Sequence, residues 1–79
     1  YPNPFNGMTT IPFSLQQAGD VRMEVYDLLG RKLVSAEMSA MPAGSHRYTL
    51  QTEAFPSGVY LVRIENSGGH HIQKVTLLK

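Results

Sequence analysis

The sequence predicts an all-β fold, a small antiparallel immunoglobulin-like or fibronectin III-like β-sandwich of six to seven strands. Apolar and polar residues alternate with a period of two in one segment after another, as strands do when one face meets a core. Glycine, proline and asparagine interrupt these segments every 8 to 14 residues or so, roughly the spacing of sandwich strands. The third observation is an exclusion. Apart from single turns at Gln16-Gln17-Ala18 and Leu28-Leu29, no segment carries a helical period.

The chain opens with Tyr1-Pro2-Asn3-Pro4-Phe5-Asn6, where each proline pushes the residue before it into an extended conformation; an extended strap with a turn at Asn6-Gly7 is expected. Ile11, Phe13 and Leu15 then alternate with Thr10, Pro12 and Ser14. Pro12 lacks an N–H, so this strand should be at an edge or bulged. After a turn at Gly19-Asp20, Val21, Met23 and Val25 form an apolar face and Arg22, Glu24 and Tyr26 a wet one. Asp27-Leu28-Leu29-Gly30 closes a hairpin, and Arg31 to Met38 returns as the partner strand. Pro42-Ala43-Gly44 breaks the chain before His46, Tyr48 and Leu50 alternate. Pro56 and Gly58 then supply a sharp entry into Val59 to Glu65, the most strand-like run in the chain. Tyr60, Val62 and Ile64 share one face of that run, which reads as an interior strand. Asn66-Ser67-Gly68-Gly69 is a hairpin signal leading to a last strand, Ile72 to Leu78.

Seventy-nine residues make a single domain, 1–79. Its radius of gyration should be roughly 12 Å, with a thin core and no deep cleft. Without cysteine, packing alone must stabilise it. The formal net charge is +1, and the seven basic residues are scattered between Arg22 and Lys79 without a stripe, which argues against nucleic acid. No apolar run approaches the ~20 residues of a spanning helix. The start has neither the basic nor the apolar part of a signal peptide, as expected of a piece of a larger protein.

Signals for chemistry are weak. His70 and His71 are adjacent, so on a strand they project to opposite faces and grip one ion poorly, even if His46 joins one of them. No phosphate loop, H-E-x-x-H or G-x-S-x-G pattern occurs. No catalytic residue, metal or cofactor is therefore assigned. Tyr1, Tyr26, Tyr48 and Tyr60 could stack on sugar rings, but Tyr48 and Tyr60 fall in the apolar phase of their strands, leaving too few for a platform. The four methionines read as gap-fillers of a small core.

Four motifs in order and spacing carry a resemblance over essentially the whole chain. Tyr1-Pro2-Asn3-Pro4-Phe5-Asn6, Val25-Tyr26-Asp27-Leu28-Leu29-Gly30-Arg31, Pro56-Ser57-Gly58-Val59-Tyr60-Leu61-Val62-Arg63 and Lys74-Val75-Thr76-Leu77-Leu78-Lys79 resemble the C-terminal sorting domain of type IX secretion cargo. The related immunoglobulin-like domain of flagellar hook-capping proteins shares the Pro-Asn-Pro start and the Gly-x-Tyr strand. It usually adds a tryptophan and a longer loop before that strand, and both are missing here.

The resemblance implies a non-catalytic module at the carboxy terminus of a larger secreted protein of the Bacteroidetes group or its relatives. Such a module directs its cargo across the outer membrane, for release or for attachment to surface lipopolysaccharide. The implied partners are outer-membrane secretion-machinery proteins and a sortase-like protease that removes the domain; a monomer is expected. By the same resemblance the recognition determinants are Asn3, Pro4, Gly58, Tyr60, Lys74 and Lys79. For Gly58 and Tyr60, turn geometry and core filling are a sufficient structural reading as well. If the last strand is an edge, its free backbone groups offer a receptor a place to add a strand. The alternative is an accessory carbohydrate-binding module, or an adhesion or spacer module, of a secreted enzyme.

Overall fold

A computed structural model of the chain describes residues 2–3 and 7–78, with side chains for 7–78. Seven strands follow one another: β1 Pro2–Asn3, β2 Met8–Leu15, β3 Gly19–Tyr26, β4 Lys32–Met41, β5 Gly44–Gln51, β6 Gly58–Asn66 and β7 Gly69–Leu77. They form two sheets, ordered β1-β2-β5 and β4-β3-β6-β7, with every pair antiparallel. This is a fibronectin III-like sandwich, with the all-β class and strand number the sequence predicts. Among the described residues no helix is long and apolar enough to cross a membrane.

The core is one layer of side chains between the sheets. Ile11, Phe13 and Leu15 of β2 and Leu50 of β5 face Val21, Met23 and Val25 of β3 and Tyr60, Val62 and Ile64 of β6, all buried. The period-two alternation of each strand places them there. Across the larger sheet Met23 pairs with Ile64 and Val25 with Val62, so the most enclosed side chains lie on the two interior strands. The radius of gyration is 12.5 Å and the smallest extent 16 Å, leaving room for one such layer and no deep cleft.

Pro12 shows how the edges are managed. Among the described residues β1 pairs with β2 at Met8 and Thr9, and β5 lies along the other side of β2. The Pro12 carbonyl accepts a 2.8 Å hydrogen bond from the Gln73 amide of β7, in the other sheet. A residue's C=O and N lie on the same side of its strand, so the missing N–H of Pro12 faces away from β5 and costs the β2–β5 ladder no bond. β7 is itself an outer strand of the larger sheet, and its Gln73 bridges to β2 of the smaller sheet on one flank of the sandwich.

Three local expectations are revised. Gly19 and Asp20 belong to β3 rather than to a turn, because the Asp20 carboxylate accepts the Ala40 amide at 3.0 Å and extends the β3–β4 pairing across a bulge to Gly19 and Met41. Neither Gln16–Ala18 nor Leu28-Leu29 makes a helical turn; the first is a bend and the second a hairpin tip. Glu24, read as a wet-face residue, is only 8 % exposed. Its neighbours on the outer face of the larger sheet cover it: Lys32 at 3.2 Å, Arg63 at 3.7 Å and the Tyr26 hydroxyl at 3.0 Å.

Candidate recognition surface

Strand register sorts the chain into two poles. Met8 at the start of β2 pairs with Gln51 at the end of β5, and Gly58 at the start of β6 with Leu77 at the end of β7. The β5–β6 link joins these ends directly. Tyr26, the last residue of β3, pairs with Leu61 near the start of β6, so the β3–β4 hairpin lies at this pole too. The other pole carries the β2–β3 bend, the β4–β5 turn and the β6–β7 hairpin.

The expected determinants divide accordingly. Asn3 pairs with Met8, which places it at the first pole alongside Gly58. Pro4 and Lys79 lie outside the described residues. Lys74 is exposed on β7, opposite Leu61, and forms no ion pair among the described residues. Tyr60 sits beneath the pole at 5 % exposure.

Gly58 and Tyr60 form a corner where the chain passes from the smaller sheet to the larger. Gly58 has φ +153, a conformation that strains any residue with a Cβ, although space for a Cβ is open. The Tyr60 hydroxyl donates to the carbonyl of Pro56, four residues upstream, and its ring stacks on Phe55 at 5.5 Å. This is the logic of a tyrosine corner: a buried phenol tied back to the backbone that enters its strand. The Phe55 amide donates to Thr52, and the Thr52 amide to Gly7 at 2.7 Å, fastening the corner to the start of β2.

The outer face of the larger sheet, between the two poles, is an ionic lattice. Arg63 donates to Glu65 at 2.9 Å and also lies near Glu24, while Arg22 reaches Glu37 at 3.7 Å and Glu65 at 3.8 Å. Hydrogen bonds from Lys32 and then Tyr26 hold the Glu24 carboxyl below its ordinary range, against the opposing effect of burial. Arg63 does the same for Glu65.

Along the flank between β2 and β7 run two shallow grooves. One, of about 240 Å³, lies by Ser14, Ile64 and His70; the other, of about 180 Å³, by Thr10, Pro12 and Lys74. They follow the flank that the Gln73–Pro12 bond bridges. His70 and His71 are exposed at the first groove, and His46 is engaged elsewhere, stacked on Phe13 at 5.4 Å and donating from Nε2 to the Pro42 carbonyl at 2.6 Å. Among the described residues no three potential metal ligands cluster. Nor does any described aromatic side chain present an exposed platform. Tyr26 and Tyr48 are half-buried, and the Tyr26 hydroxyl is spent on Glu24.

Sequence reasoning placed the β3–β4 hairpin tip at Asp27 to Gly30 but missed the exposure of its leucines. Leu28 is 66 % exposed and Leu29 81 %. The available signal was two leucines at turn positions that normally take glycine, asparagine or aspartate.

A family model described as secretion system C-terminal sorting domain matches residues 1–78. That span includes all seven strands. No curated protein matches the chain.

Proposed function

The chain belongs to the secretion-system C-terminal sorting domains, a sorting signal for type IX secretion whose bearer is exported to be secreted or held at the cell surface, and on that basis we propose that the folded sandwich itself is the address read by the machinery. The observation that carries this reading is the extent of the match, which covers the entire folded unit rather than a short peptide. A machinery that accepts many cargoes through one tag needs a surface whose shape is independent of the cargo, and a closed two-sheet module supplies one.

In this reading the domain ends a larger polypeptide and acts without catalysis, as a monomer. Asn3 and Gly58 set the shape of one pole, Tyr60 holds the corner under it, and Lys74 presents charge on β7; Pro4 and Lys79 join the determinants through their sequence motifs alone. The exposed Lys74, with no acidic partner among the described residues, and the outer position of β7 support docking along that strand. A sortase-like protease then removes the domain, with the cargo released or attached to the surface.

The test is a reporter joined ahead of residues 1–79, expressed in a host with type IX machinery and in the same host with that machinery inactivated. Reporter in the medium or on the surface of the first host alone is expected. Retention in the periplasm of both would overturn the reading. Removal of residues 74–79 should also leave the reporter in the periplasm, and normal export of that truncation would exclude a role for the last strand.

A further inference from the structure

The β3–β4 hairpin tip is closed by its own hydrogen bonds and raises two leucines that no described residue covers. Asp27 builds it. One carboxylate oxygen accepts the amides of Leu29 at 2.9 Å and Arg31 at 3.0 Å, and the other accepts Arg31 Nε at 2.7 Å. The Asp27 amide donates to the Arg31 carbonyl, and the Gly30 amide to the Asp27 carbonyl, both at 3.1 Å. Gly30 supplies the left-handed φ of +85 that the return requires. None of these bonds uses a leucine side chain, so polar residues at 28 and 29 would make the same turn.

We propose that Leu28 and Leu29 are an apolar docking knob that seats in a hydrophobic pocket of a protein of the secretion machinery. The inference rests on the sorting-signal reading above. Three observations support a protein pocket. The backbone under the leucines is fixed in advance, which reduces the ordering cost of binding to a shaped site. The exposed leucines lie between Asp27 and Arg31, whose ion pair at the base of the tip gives the apolar centre a polar border. The knob also shares its pole with Gly58 and Asn3, so one partner can cover all three.

A lipid surface fits less well, because two leucines give little insertion. A second copy of the chain would pair this tip with itself or with another apolar patch and would show as a dimer.

The test compares three reporters in a host with type IX machinery, carrying residues 1–79 unchanged, with Leu28→Ser and Leu29→Ser together, or with Leu28→Met and Leu29→Met together. The serine pair should lower export about tenfold or more at an unchanged melting temperature. The methionine pair, which restores apolar bulk, should return export to within about twofold of the unchanged domain. Equal export of the serine pair and the unchanged domain overturns the proposal and leaves the sorting-signal reading intact. Failure of the unchanged domain to export overturns the reading, and the proposal with it. Three further results also overturn the proposal: a melting temperature lowered by the serine pair, a dimer in sedimentation that the pair dissolves, and leucine-dependent binding of the purified domain to phosphatidylethanolamine and phosphatidylglycerol vesicles.

Discussion

The larger sheet carries a hairpin at each end, and the two are built differently. Ser67-Gly68 joins β6 to β7 with the shortest practical loop, between the paired residues Asn66 and Gly69. The Asn66 side chain accepts the Gly68 amide at 3.0 Å and donates to the Gln17 carbonyl at 2.9 Å, clasping this hairpin to the β2–β3 bend. The β3–β4 hairpin is longer, is closed by a carboxylate rather than an amide, and raises two leucines into solvent. Short polar chemistry therefore suffices to reverse the chain in this sheet. The leucines are surplus to that requirement, which is what makes them candidates for the docking proposed above.

The largest expected effect lies beneath the leucine-bearing pole rather than in either loop. If the Tyr60 corner holds that pole in shape, Tyr60→Ala should lower stability by about 3 to 5 kcal/mol, as loss of a buried aromatic ring does. Tyr60→Phe, which loses only the bond to Pro56, should cost about 1 kcal/mol. Urea denaturation reads both. A Tyr60→Ala variant as stable as the wild type would mean that the corner is held by the backbone alone.

A smaller effect separates the two hairpins. Asn66→Ala removes the clasp at the far pole and should cost about 1 kcal/mol while leaving reporter export unchanged. The leucine substitutions should do the reverse. Loss of export in Asn66→Ala without unfolding at the assay temperature would show that both poles are read, and the contrast between them would fail.

The contrast also explains what could be read from the sequence. The strands and their inward residues were legible because burial on one face imposes a period of two, as Val21, Met23 and Val25 or Tyr60, Val62 and Ile64 display. The Asn66 to Gly69 turn was legible because its residue types dictate its geometry. Glu24 was misjudged because its cover comes from Lys32, Arg63 and Tyr26 across the sheet, contacts that only the strand register creates. Gly19 and Asp20 looked like a turn because the acceptor for which Ala40 donates its amide is twenty residues away. The exposure of Leu28 and Leu29 escaped notice because two leucines usually signal core, and only coordinates show that no described residue covers them. The candidate determinants emerged from resemblance rather than from pattern: Gly58 and Tyr60 are explained by the corner, whereas no residue pattern singles out Lys74.

The smallest effect is local and acid-dependent, and it again divides the hairpins. Backbone donation from Arg31, outweighing burial and reinforced by the Arg31 side chain and the Leu29 amide, holds the Asp27 carboxyl below its ordinary value of 3.8. A carboxyl depressed in the folded state contributes stability that is fully present above its unfolded pKa and is lost as pH falls through the lower folded value. The leucine hairpin should therefore stay intact over roughly pH 5 to 8 and loosen only under acid conditions, below the ordinary range. The far hairpin is closed by the Asn66 amide, which does not titrate. In an NMR titration toward low pH, the amide protons of Leu29 and Arg31 should shift together while that of Gly68 stays in place. Movement of all three in parallel would mean that acid unfolds the whole sandwich, with no separate release of the carboxylate lock.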